Sequence, residues 1–173
     1  MASTLVIEDG SGVAGADAYA TLASCVIYAE NYFGASLQGN DATKDAAIRR
    51  AVVYMNSLDW QGEPTNGRNQ PLAWPRKSVY DEYGNLLPDD EIPQEIIDAQ
   101  HILARAEFQS LGVLSPDVTV GQKVIRERVG PLETEYSDTA GGVSNMRPVV
   151  TMAIDKLRPF LRNRGNGRVL TRG

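Results

Sequence analysis

Apolar side chains recur three or four positions apart in four segments of the chain, which is the spacing of helices that bury one face. The first predicted helix follows a Thr21 N-cap and closes at Gly34, and the second should be capped by Asp41 or Thr43. Pro159 should kink or end the fourth, because its ring clashes with the preceding turn. The predicted helices begin near Leu22, Asp41 or Thr43, Pro93 and Pro148, and they end near Phe33, Leu58, Leu111 and Leu161.

The third predicted helix carries two apolar stripes, one through Ile96 and Leu103 and one through His101 and Phe108. Two stripes imply contacts on two sides, as in a central bundle helix or one that also meets a neighbouring subunit. His101 should therefore be a packed side chain. Cys25, beside the apolar stripe of the first helix, should likewise be a core residue and not a nucleophile.

A β-hairpin is predicted at 123–137, where KVIRERVGPLETEYS alternates around a two-residue Gly130-Pro131 turn. This turn pairs Val129 with Leu132 and sets two arginines opposite two glutamates. An isolated hairpin is only marginally stable, so its apolar face should pack on the bundle or pair with another chain. The residues expected at such a subunit interface are Ile125, Arg126, Arg128, Val129, Leu132, Glu133, Glu135 and Tyr136.

Residues 59–91 are rich in proline and glycine and hold both tryptophans, Trp60 and Trp74, without a sustained helical or alternating period. A loop of this length in a compact domain is usually functional or packs on its own cluster. We expect a structural loop, with a ligand pocket as the alternative. The side chains expected to pin it to the helices are Trp60, Leu72, Trp74, Tyr80, Leu86 and Leu87.

These elements predict a mainly α fold: a small bundle of about four helices with an inserted β-hairpin and an extended C-terminal arm. The bundle, its long loop and the hairpin should occupy 1–137, and a hinge, the last helix and a basic arm 138–173. A length of 173 residues with 42% apolar residues suits an ordinary globular domain. No apolar run is long enough to cross a membrane, no secretory signal is visible, and the single cysteine favours a reducing compartment.

Charge is distributed unevenly along the chain. Residues 147–173 hold seven basic residues and one acidic residue, a net charge of +6, whereas residues 1–146 hold ten basic and 21 acidic residues, a net charge of −11. This asymmetry suggests a binding arm, with a solvated helix end and a disordered tail as the alternative. The residues expected in the arm are Arg158, Arg162, Arg164, Arg168, Val169, Leu170 and Arg172.

Residues 10–15 (GSGVAG) match the dinucleotide-binding pattern G-x-G-x-x-G, but the strand candidate before them is short, and the next helix is followed by a polar linker and another helix where the site needs a second strand with an acidic residue. A tight turn is the better interpretation. The chain has no P-loop, no nucleophile elbow and no zinc-protease motif. With one histidine and one cysteine, it also lacks the usual zinc ligands. We therefore expect no enzymatic activity, no cofactor and no metal.

Single-strand binding needs a basic groove with aromatic platforms. The aromatic residues here fall mostly in helix stripes or in the long loop, and the nearest mixture is Trp74-Pro75-Arg76-Lys77 with Tyr80. The acidic body opposes general phosphate affinity. A nucleic-acid interface is therefore not the leading expectation from these residues.

Three segments and the terminal helix together resemble a family of tailed-bacteriophage proteins. The segments are VIEDGSGVAGADAYATL, LAWPRKSVYDEYGNLLPDDEIPQEIIDAQHILA and VIRERVGPLETEY. Members often carry the label "putative DnaT-like single-stranded DNA-binding protein". The family's architecture is similar to that of phage head–tail connector (adaptor) proteins, and it supplies no catalytic residues.

This resemblance implies a structural virion protein at the head–tail interface, assembled in the host cytoplasm. Such a protein is expected to form a ring, commonly a dodecamer, beneath the portal protein and above a downstream tail component. DNA would pass through without specific binding, and the basic arm would bind the portal. The alternative function is that of a DnaT-like single-stranded DNA-binding replication accessory protein.

Overall fold

Four α-helices form the core of a computed structural model that describes residues 3–115, 126–129, 132–135 and 150–162. The helices are α1 (Leu22–Phe33), α2 (Asp41–Asn56), α3 (Gln94–Gln109) and α4 (Thr151–Leu157). Two antiparallel strand pairs join β1 (Glu63–Pro64) to β2 (Arg76–Lys77) and β3 (Arg126–Val129) to β4 (Leu132–Glu135). The predicted fold class, mainly α with a small hairpin, is confirmed.

The caps of the first two helices follow from local hydrogen bonding. Thr21 accepts a hydrogen bond from the Ser24 N–H, and Gly34 closes α1 in the left-handed conformation, with φ of 63°. The cap predicted for α2 is wrong by at least one residue. The cap is Asn40, whose side chain accepts from the Thr43 N–H at 2.8 Å, while Asp41 lies in the first turn.

Helix α3 lies at the centre of the bundle and contacts α1, α2 and α4. Ile96 and Leu103 of its first stripe and His101 of its second stripe are buried, so the predicted contacts on two sides are confirmed. The helix ends at Gln109, short of the predicted Leu111, which is exposed in the following turn. Glu107 explains this end, because its carboxylate accepts from the N–H of Gly112 at 2.8 Å.

The long loop is packed through both of its tryptophans. Trp74 has no exposed surface, and its ring centroid lies 5.8 Å from that of Trp60 and 5.7 Å from that of Phe160, both edge-on. Trp60 also donates its indole N–H to the Met55 carbonyl. The expectation that Tyr80 and Leu86 pin the loop is wrong. These two residues pair with each other in a β-bridge and point into solvent.

The hairpin has the predicted register. Arg126 pairs with Glu135, Arg128 with Glu133 and Val129 with Leu132. This agreement follows from the two-residue turn, which fixes which positions face each other. Ile125 and Tyr136, expected on the apolar face, lie outside the described residues.

Helix α4 ends at Leu157 and continues as a 3-10 turn over Arg158–Phe160, where Pro159 prevents further α-helix. The described part of this segment starts at 150, so the predicted opening at Pro148 falls outside it. Leu157 and Phe160 are buried in the bundle. Beyond them the chain pairs with the long loop, as Leu161 bridges Trp60.

Candidate functional site

Two tyrosines of α1 form an exposed aromatic stack. Tyr28 and Tyr32 are one helical turn apart, so both lie on one face of α1. Their ring centroids are 4.3 Å apart with an interplanar angle of 26°. Tyr32 is 69% exposed, whereas Tyr28 is half-buried beneath it. One face of the Tyr32 ring is thus supported by protein while much of the side chain is open to solvent.

The core holds the lower tyrosine in place. The Tyr28 ring lies 4.9 Å from the His101 ring of α3 and 6.3 Å from the Phe33 ring. His101 is buried, and burial lowers its pKa to about 4, so the imidazole is neutral at physiological pH. His101 is a packing residue, as predicted, and it supports the tyrosines from below.

Two cations border the stacked rings. The Arg105 guanidinium carbon lies 4.0 Å from the centroid of the Phe33 ring, in a cation–π contact. Lys156 of α4 contacts Asp98 at 2.7 Å, a hydrogen bond that raises the pKa of the lysine. We call Tyr28, Tyr32, Phe33 and Arg105, with Lys156 at the edge, the tyrosine platform.

The Tyr28 hydroxyl responds to these neighbours. Burial raises its pKa most, the Asp98 charge raises it further, and the Lys156 charge lowers it. Lys156 therefore lies close enough to act on the platform, but its ion-pair partner Asp98 has the larger effect on Tyr28, so Arg105 is the platform's main cation. The platform combines an aromatic surface with adjacent positive charge.

A second basic surface lies where the long loop meets the end of α4. Arg76 is buried and donates to three backbone carbonyls, those of Gln61 at 2.6 Å, Gly62 at 2.9 Å and Ala73 at 3.0 Å. A cleft of about 370 Å³ opens beside it, with Arg162 on the same lining. Burial and then the Arg162 charge lower the pKa of Arg76. We call this the arginine cleft.

The aromatic–basic mixture expected at 74–77 does not form a binding surface. Trp74 is enclosed between Trp60 and Phe160, so its ring has no free face. Arg76 is buried and bonded to the loop backbone. Only the flanking Lys77 and Tyr80 are exposed.

Sequence reasoning missed Tyr28 and Tyr32, which the apolar stripe of the first helix did not include. The available signal was their spacing of four positions with a third aromatic residue, Phe33, at the helix end. No local pattern connects these residues to Arg105, which comes from α3. The platform is a tertiary arrangement.

The residues expected in the basic arm are only partly described. Arg158 forms an ion pair with Asp155, and Arg162 lies at the rim of the arginine cleft. The remaining arm residues fall outside the described part of the chain: Arg164, Arg168, Val169, Leu170 and Arg172. Of the hairpin residues, those described lie on the predicted strands, whereas Ile125 and Tyr136 fall outside the described residues, and the role of the hairpin at an interface remains a prediction.

The glycine-rich segment 10–15 forms a turn around a carboxylate of the chain itself. The buried Glu8 side chain accepts hydrogen bonds from the N–H of Gly10 at 3.0 Å and of Gly12 at 2.8 Å. Gly10 has φ of 104°, and a Cβ there would lie 1.9 Å from the Asp90 carbonyl oxygen. Because Glu8 already uses these amides, they are not available to a nucleotide phosphate, in agreement with the predicted turn.

The described part of the chain does not support metal binding, a membrane-spanning helix or a reactive thiol. Within it, no group of three or more His, Cys, Asp or Glu residues is placed to hold a metal ion. None of its helices is long and apolar enough to cross a membrane. Cys25 is buried, and burial raises the pKa of its thiol to about 12, which keeps it protonated and unreactive.

Comparison with known families changes the expected function. A family model described as "Putative DnaT-like ssDNA binding protein" matches residues 3–173. No curated protein and no solved structure matches the chain. The leading expectation of a virion adaptor is therefore wrong, together with its portal-binding and ring-forming character, because the family description agrees with the alternative. The expected localisation and the absence of enzymatic activity remain predictions.

Proposed function

We propose that this chain, which belongs to the family described as "Putative DnaT-like ssDNA binding protein", binds single-stranded DNA by stacking a base on the tyrosine platform. The observation that carries the proposal is the stacked pair of Tyr28 and Tyr32, whose outer ring is 69% exposed, on a surface where Arg105 covers Phe33 and Lys156 acts on Tyr28. We propose a binding role and no catalytic one.

Stacking on Tyr32 suits a single strand better than a duplex. In a duplex the base faces are already covered by neighbouring bases, whereas an unpaired base offers a free face to an aromatic ring. Base–aromatic stacking contributes about 1–3 kcal/mol per base and tolerates any sequence, because every base has such a face. Tyr28 adds to this by holding the Tyr32 ring in one orientation.

Positive charge next to the platform complements the strand's phosphates. Arg105 and Lys156 lie at the platform, and residues 147–173 carry a net charge of +6. Residues 1–146, with a net charge of −11, repel a polyanion elsewhere. Binding should thus be confined to one region and should weaken as salt rises.

The test is the affinity of the full chain for a fluorescently labelled oligothymidylate, measured by anisotropy at low salt. Replacing Tyr32 with alanine should weaken binding by about 1–3 kcal/mol, that is by about 5-fold to 150-fold. Tyr32→Phe should bind nearly as well as the wild type, because the stacking ring remains.

Tyr83→Ala is the matched control, because Tyr83 is a tyrosine with 81% exposure beside the acidic Glu82. It should leave the affinity unchanged. Equal effects of Tyr32→Ala and Tyr83→Ala, or no oligothymidylate binding by the wild type, would overturn the proposal.

A further inference from the structure

We infer that the arginine cleft is a second contact for the bound strand and holds one of its backbone phosphates between Arg76 and Arg162. This inference rests on the proposed function and extends it from the base to the sugar–phosphate backbone. The cleft lies between the long loop and the chain that follows α4, so its two arginines come from distant parts of the sequence.

Arg76 has a fixed orientation, and its charge is compensated only by the distant Glu63 carboxylate and Tyr19, not by a hydrogen-bonded acid among its described partners. Its three side-chain bonds go to neutral carbonyl oxygens of the loop, at 2.6–3.0 Å. A guanidinium has five N–H donors, so donors remain for a further acceptor. Because Arg76 is buried and held before binding, an anion that reaches it gains a charge-assisted hydrogen bond at little cost in side-chain entropy.

Arg162 is fixed through its backbone, whereas its side chain is held only by a long ion pair. Its N–H donates to the Asp59 carbonyl at 2.8 Å, directly after the bridge between Leu161 and Trp60. The side chain is 59% exposed, and its nearest Asp59 oxygen is 3.8 Å away. Such a long, exposed ion pair is weak. Arg162 can therefore turn toward an anion in the cleft.

The charge of the cleft favours an anion. Arg76 and Arg162 lie close enough that the second lowers the pKa of the first, which means that the two cations repel each other. Asp59, also on the lining, balances only one of the two positive charges. A phosphate between the arginines would relieve this repulsion, and its oxygens fit the forked donors of guanidinium groups.

The position of the cleft connects it with the tyrosine platform. Lys156 lies at the platform edge, and Arg162 follows six residues later, two residues beyond the 3-10 turn that ends at Phe160. At about 1.5–2 Å of rise per helical residue and about 3.3 Å per extended residue, these positions are roughly 10–15 Å apart along the chain. One strand can therefore stack a base on Tyr32 and place a phosphate farther along at the cleft. This continuity favours a phosphodiester over an unrelated anion.

The test compares Arg162→Ala with Arg158→Ala in the full chain. Both arginines are exposed and lie close together in the sequence, but only Arg162 lines the arginine cleft. Arg162→Ala should weaken binding to oligothymidylate by about tenfold at low salt. It should also reduce the slope of log affinity against log salt by about 0.7, the loss of one phosphate contact. Arg158→Ala should change neither quantity by a comparable amount.

A titration with inorganic phosphate, followed by the NMR signals of the arginine Nε–H groups, tests the site without DNA. Saturable shifts are expected for Arg76 and Arg162 in the wild type, and they should persist in Tyr32→Ala. Absence of these shifts, or equal effects of the two arginine variants on oligothymidylate binding, would overturn the phosphate site while leaving the tyrosine platform in place. Failure of the wild type to bind oligothymidylate would overturn both proposals.

Discussion

Tyrosines in this protein differ in role because their surroundings differ. Tyr19 is buried, and its hydroxyl contacts the N–H of Trp74 in the core. Tyr32 stacks on Tyr28 and is exposed to solvent, while Tyr83 is exposed next to Glu82. The amino-acid composition does not distinguish these tyrosines from one another. Only tertiary contacts distinguish a core tyrosine from one that can stack on a base.

His101 makes the stability of the protein depend on pH. Its folded pKa is lowered from 6.5 to about 4, with burial as the main cause, while the nearby Asp98 charge acts in the opposite direction. Below pH 6.5 the unfolded chain takes up a proton that the folded chain does not. The stability gained from neutral His101 is therefore full above pH 6.5 and is lost progressively as the pH falls to about 4.

The expected loss is about 3 kcal/mol of unfolding free energy between these limits, beyond what the carboxyl groups contribute. Urea denaturation of the wild type and of His101→Gln at pH 7, 5 and 4 measures it. The glutamine variant cannot take up this proton, so its stability should fall less over the same range. Parallel pH profiles for the two proteins would contradict the burial of a neutral His101.

At the scale of elements, the sequence predicts what depends on local chemistry. The Thr21 cap, the Gly34 stop and the hairpin register all follow from residues close in sequence. The tyrosine platform and the arginine cleft could not be predicted, because Arg105 reaches Phe33 from α3 and Arg162 meets Arg76 across the fold. Hydrophobic periodicity places helices, but it does not determine which exposed residues of two helices become neighbours.

Helix α4 connects the two basic surfaces, and its docking depends on Leu157. This side chain is fully buried. Leu157→Ala should lower the free energy of unfolding by about 2–5 kcal/mol, since it leaves a cavity against the bundle. Met152→Ala, at an exposed position of the same helix, should change it by about 0.5 kcal/mol or less. Urea denaturation of both variants provides the measurement, and equal losses would show that α4 is not anchored through Leu157.

At the scale of the whole molecule, charge separation gives the protein one region for a polyanion. The net charge of −11 over residues 1–146 disfavours wrapping of DNA around the body, and the +6 of residues 147–173 draws it to the end of the chain. The tyrosine platform and the arginine cleft both include residues of that basic region, Lys156 and Arg162. Aromatic residues of α1 and cations of the basic region, far apart in sequence, are thus brought together by the fold.

A truncation that ends the chain after Arg162 tests whether the basic residues beyond it contribute to DNA binding. The truncation removes Arg164, Arg168 and Arg172. If all three contact phosphates, the slope of log affinity against log salt should fall by about 2, because each phosphate contact on a single strand contributes about 0.7. Tyr32→Ala in the truncated chain should still weaken oligothymidylate binding, since stacking does not depend on those arginines.

The matched control for the truncation keeps the full length and replaces the same three arginines with lysines. Because each substitution preserves the positive charge, the salt slope should remain close to that of the wild type. A truncated protein with an unchanged slope would place every phosphate contact within residues 1–162. A loss of slope in the lysine variant equal to that of the truncation would instead show that the guanidinium groups act through geometry and not through charge alone.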